Sequence, residues 1–174
     1  RATVVRTRKG GGEMRLWTPL LHDISMTGDE LLARYAAGER DFAGVTLIEA
    51  RLDNALLDGI NLHGARLIHA SLRHAQLQGA YLSFAQLTGA DLTGANLANI
   101  DLGCAQLDSA VLAHADLRQA DLRHASARGA DFWGAQLDGA DFAGADLHAA
   151  CINCAQRPAD GGRSHLRPAI HRRR

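Results

Sequence analysis

The sequence predicts an all-β solenoid: a chain wound into a four-sided coil, with a short helix over its N-terminal end. Three observations predict it. From Phe42 to Ile152 every fifth residue is a large apolar one, at 22 of 23 positions, the exception being Ala127. Two residues before these centres stands Ala, at 19 of the 23 positions. Two residues after them, ten positions are Gly and two are Asn, Asn54 and Asn99.

A period of five suits neither ordinary element. On an α-helix each residue turns about 100°, so the leucines would spread around the cylinder. On a strand, side chains alternate between faces, so an odd period sends successive leucines to opposite sides. A backbone that turns a corner every five residues brings every centre to one axis, and four repeats close one coil. Ala two residues earlier fits the same crowded interior. Gly or Asn two residues later supplies the positive φ of a type II turn. The positions between carry Asp, Gln, Arg, Asn and Thr and face solvent. The 23 repeats then make nearly six coils, and at ~4.8 Å per rung the body is roughly 27 Å tall.

The runs Ala90-Asp91-Leu92-Thr93-Gly94 and Ala95-Asn96-Leu97 resemble the A(D/N)LXX consensus of the pentapeptide-repeat family. The resemblance covers residues 40–155 without a break in register. It implies a right-handed quadrilateral parallel β-helix in which residues 20 apart stack on one face. The lead-in from Glu30 to Phe42 is similar to that of bacterial, especially cyanobacterial, members.

The ends differ. Thr27 and Glu30 form a T-x-x-E capping box, Met26 and Leu31 a hydrophobic staple, and Gly38 a C-cap. These predict a helix over 28–37 on the first coil. The expected organisation is a basic, mostly irregular arm (1–26), a capping helix (27–39), the solenoid (40–155) and a disordered basic tail (156–174). No comparable lid follows the last coil around Phe142, Leu147 and Ile152, so end-to-end homodimerisation through that coil is expected.

Zero net charge conceals this division. Residues 1–22 carry +4, residues 23–40 carry −2, residues 41–155 carry −7 and residues 156–174 carry +5. No apolar run has the length of a membrane span, and three cysteines make no disulfide framework. A cytoplasmic protein with reduced thiols is the expectation.

The candidate chemical sites are weak. Cys151-Ile152-Asn153-Cys154 is a CxxC, but a zinc site needs two further ligands. Cys104 falls on face one, counted from Phe42, while the CxxC falls on face three. Cys104 and His124, one rung apart, make half a metal site. Asp108, Ser109 and His114 are close in sequence but fall on convex walls with no pocket. No catalytic, cofactor or metal residues are therefore assigned.

Outward apolar residues carry more information: Ile48 and Ile68 on one column, Tyr81 and Phe84 flanking Leu82, and Trp133 near Val111. Together with the acidic column Asp101, Asp121 and Asp141, they form the candidate partner surface. The expected function is a non-enzymatic scaffold presenting flat β walls to a protein partner. The family resemblance implies an alternative, a DNA mimic modulating a type II topoisomerase (gyrase), since some members act on that enzyme with an acidic rod. Against it stand the basic residues Arg118, Arg123 and Arg128. Nucleic-acid binding through the arms is disfavoured, because no aromatic residues are interleaved with their charges.

Overall fold

The computed structural model describes residues 25–152. The expected basic arm up to residue 24, the tail and Cys154 lie outside the described residues.

The body is a right-handed quadrilateral β-helix. Each repeat forms one side, and bridges join residues 20 apart in parallel register. One such series is Asp41, Asn61, Tyr81, Asp101, Asp121 and Asp141. Most sides contribute a single bridge residue. Two are longer: β1 (Asp131–Phe132) pairs in parallel with β2 (Cys151–Ile152).

Each side repeats four backbone bonds, one of them from its corner N–H (Phe84 N to Gly103 O, 2.9 Å), illustrated at Leu82. Its N–H donates to the next rung (Asp101 O, 2.7 Å), and the preceding N–H donates to the previous rung (Tyr81 N to Ile60 O, 2.9 Å). Its carbonyl closes a four-residue turn by accepting from Ala85 N at 3.0 Å. All 22 corner positions from Gly44 to Ala149 have positive φ. Gly occupies ten of them, so twelve L-residues adopt a left-handed backbone, among them Glu49, Phe84 and Gln119. The Gly/Asn expectation therefore described only part of the corner chemistry.

The leucine centres and the alanines two residues before them form one continuous buried cluster from Phe42 to Phe132. Ala127 is buried in it, beside the fully buried Phe132. The Phe132 ring meets Phe142 edge-on, with centroids 5.9 Å apart. One oversized centre thus sits next to the undersized one, which conserves volume within the coil.

α1 (Gly28–Ala36) substitutes for two sides of a coil above the first. Ser25 pairs with Thr46 on face two, and Gly28 then passes over Arg51 on face three, where an added Cβ would lie 2.6 Å from the Arg51 carbonyl oxygen. Tyr35 Oη donates to Asp58 O (2.8 Å) on face four. Thr27 caps α1 by accepting from Glu30 N at 3.2 Å. Leu31 is wholly buried, and Arg34 stacks on the Phe42 ring while pairing with Glu39. At the other end Leu137, Phe142, Leu147 and Ile152 are only half-buried.

Candidate interaction walls

The site chemistry begins with a local need. The residue after each centre has an N–H that points out of the ladder. Where the residue before the centre is Asp or Asn, its side chain accepts that N–H. Asp101 takes Gly103 N (2.9 Å), Asp121 takes Arg123 N (3.0 Å) and Asp141 takes Ala143 N (2.9 Å). On three sides that have Ser or Gln before the centre, an aspartate one rung earlier supplies the acceptor. Asp53 takes Arg73 N (3.0 Å), Asp58 takes Gln78 N (2.9 Å) and Asp108 takes Arg128 N (2.9 Å). The acidic column of face one is therefore part of the fold's hydrogen bonding before it is a charged surface.

The arginines then pair with those acids. Arg118 grips Asp116 through Nε–Oδ1 (2.8 Å) and Nη2–Oδ2 (2.6 Å). Arg123 does the same to Asp121 at 2.9 and 2.6 Å, and its Nε lies 3.9 Å from Asp141. Arg128 Nε reaches Asp146 at 2.6 Å. The guanidinium hydrogen bonds hold the Asp116 and Asp121 carboxyls below the usual aspartate range. The His148 N–H and then Arg128 do so for Asp146. Arg118, Arg123 and Arg128 are accordingly each paired with an aspartate, and the Asp101–Asp121–Asp141 column is not a field of one sign.

The outward apolar residues separate into three places. Tyr81 (56% exposed) and Phe84 (58%) share face one, and the His63 ring meets Phe84 edge-on at 5.5 Å. Ile48 is exposed, whereas Ile68 is only half-exposed, so the expected isoleucine pair is lopsided. Trp133 packs against His114, edge-on at 4.4 Å, rather than standing only near Val111. Leu56, at 70% exposure, was missed by sequence reasoning, although it is the one aliphatic residue in a column continued by Gln76, Asn96, Asp116 and Gln136.

The histidines have a packing role. The rings of His69, His74, His114 and His124 lie over Gly89, Gly94, Gly134 and Gly144 on the next rung, where a Cβ would meet them at 2.4 to 2.6 Å. His124 thus leans forward onto Gly144, away from the rung of Cys104. Among the described residues no group of three or more His, Cys, Asp or Glu converges on a metal position. Cys104 is free, while Cys151 is disulfide-bonded, which corrects the expectation of reduced thiols at that position. No helix among the described residues is long and apolar enough to cross a membrane.

The pentapeptide-repeat family model matches in eight copies, over residues 46–83, 85–123, 105–144 and 115–153. The chain belongs to the pentapeptide-repeat family. A trypsin-treated form of QnrB1, a plasmid-mediated fluoroquinolone resistance protein, aligns at 19% identity and a TM-score of 0.58. That alignment covers 62% of this chain and 58% of QnrB1, so it shows a shared fold over little more than half of that protein. The pentapeptide-repeat protein alr5209 of Nostoc PCC 7120 is 37% identical over 72% of this chain and 98% of its own, with a TM-score of 0.41. Rfr23 of the cyanobacterium Cyanothece 51142 is 24% identical over 68% of this chain and 95% of its own, with a TM-score of 0.43. No curated protein matches the chain.

Proposed function

We propose that this pentapeptide-repeat chain is a non-enzymatic scaffold that binds a protein partner through its outer walls. The observation that carries this is the separation of core from surface. Leu62, Leu82 and Leu102 are sealed inside face one, while Tyr81 and Phe84 stand exposed on the same face. Fold stability leaves those outward positions free to be specified for binding. Two depressions among the described residues, one lined by Gln78, Asn96 and Asp116 and one by Asn61, His63 and Tyr81, are open wall features rather than enclosed sites. The candidate surface is Ile48, Ile68, Tyr81, Phe84, Trp133 and the Asp101, Asp121 and Asp141 column, acting in the cytoplasm. Co-purification from the source organism tests it, using the wild type beside a chain with Ile48, Tyr81, Phe84 and Trp133 changed to Gln or Ser. A partner recovered with the wild type alone is expected; identical recoveries with both chains contradict the proposal.

The gyrase alternative draws support from the acidity of the described body, which has 16 Asp and Glu against eight Arg. It is weakened by the hydrogen bonds that commit Asp121 to Arg123 and by the structural role of the column. A supercoiling assay separates the two readings.

The second part of the proposal is an end-to-end homodimer. Phe142, Leu147 and Ile152 are half-buried, whereas the corresponding centres of the middle coils are fully buried. Stacking two such coils continues both core and ladder across a two-fold junction. Sedimentation of the wild type beside an Ile152→Arg, Phe142→Asp double variant tests this. A dimer that becomes a folded monomer in the variant is expected; two monomers with equally protected end coils contradict it.

A further inference from the structure

Phe84 is the one large apolar side chain at a corner of the described coils. It stands at a corner with φ of 61°, where ten corners carry Gly and the other non-glycine residues are small or polar. A bulky side chain strains that backbone. Four histidines and Gln119 at other corners lean forward onto a glycine of the next rung, as His69 does on Gly89 and Gln119 on Gly139. The next corner in the Phe84 column is Cys104, so no glycine seat exists, and the ring remains in solvent against the edge of His63. The residue satisfies neither core nor corner. A strained and exposed aromatic that the fold does not require points to a binding role.

Its surroundings define what it binds. Tyr81, also exposed, stands across face one, and a shallow groove lined by Asp41, Asn61, His63, Tyr81 and Ser83 runs beside it. In the column through Tyr81, Asp41 stands two rungs before it and Asp101 one rung after it. The cation at the groove, Arg40, is engaged by the chain itself. It stacks 3.8 Å from the Tyr35 ring centroid and donates to the Tyr35 and Glu39 carbonyls, each at 2.8 Å. Two exposed aromatic rings on a face that also carries Asp41 and Asp101 complement a planar cation, which stacks on aromatic rings and forks onto carboxylates.

We infer that face one between Asp41 and Asp101 is a recognition wall, anchored by Phe84 and Tyr81, for an arginine-bearing segment of a partner protein. The inference rests on the scaffold reading and adds the wall and the partner's chemistry. The probe is a blocked Gly–Arg–Gly–Arg–Gly–Arg peptide, with lysine and citrulline versions, titrated into the full chain and followed by backbone amide resonances. The arginine peptide is expected to shift residues around Asn61–His63, Tyr81–Phe84 and Asp101. The lysine peptide should bind more weakly and the citrulline peptide not at all. Phe84→Asn and Tyr81→Gln should each weaken binding about tenfold or more. Phe84→Asn should leave the melting temperature unchanged or raise it, because Asn is at ease with positive φ.

Shifts scattered over all four faces, or equal binding of the three peptides, overturn the assignment. So does a clearly lower melting temperature for Phe84→Asn, which would make the ring structural. Resonances of the chain's own basic arms that move on Phe84→Asn without peptide would give the wall to an arm and not to a partner. If a partner co-purifies through the walls while the peptide fails, the scaffold stands and only this wall's assignment falls.

Discussion

Ala127 shows how far a single residue could be read in advance. The break in the leucine series was plain in the sequence, but its consequence depended on what filled the space. Phe132, next along the same coil, is fully buried and meets Phe142 edge-on, so an oversized centre stands beside the undersized one. Ala127→Leu therefore overpacks the coil and should cost about 1–3 kcal/mol; a raised melting temperature would reveal an open cavity instead. Corner residues were less legible. Asn54 and Asn99 announce positive φ, while Glu49, Gln119 and Phe84 do not, because the ladder on both sides imposes their conformation. Thr93, at one of the positions expected to face solvent, is only partly exposed. Its N–H and hydroxyl both bond to Asp91 Oδ1, a contact visible only once the outward N–H needs an acceptor.

At the scale of elements, the capping helix was legible because its signals are local. Thr27 and Glu30 lie three residues apart, and α1 begins one residue after Thr27. Gly28 was not recognised, since its requirement comes from the Arg51 carbonyl oxygen, 23 residues away in sequence. The same holds for the walls. Columns follow from the period, so Asp101, Asp121 and Asp141 could be stacked on paper. That Arg123 turns back onto Asp121 depends on a rotamer, and pattern does not encode rotamers. Pairs as exposed as these contribute little to stability. Their importance is to the field the wall presents, which is mixed in sign where the bare column would have been uniformly acidic.

For the whole molecule, the unbroken register from Phe42 to Ile152 determined the architecture, because one coil shape alone buries every fifth residue. Function was less legible, since a solenoid's partner is written in outward residues that obey no period. The central claim is that centres hold the fold while outward residues, apart from the hydrogen-bonded aspartates, are free to bind. Urea unfolding of Leu97→Ala beside Thr88→Ala tests it most directly. Leu97 is fully buried, and the Thr88 side chain faces outward. The account predicts a loss of about 2–5 kcal/mol for Leu97→Ala and less than about 0.5 kcal/mol for Thr88→Ala. Equal losses at the two positions would contradict it.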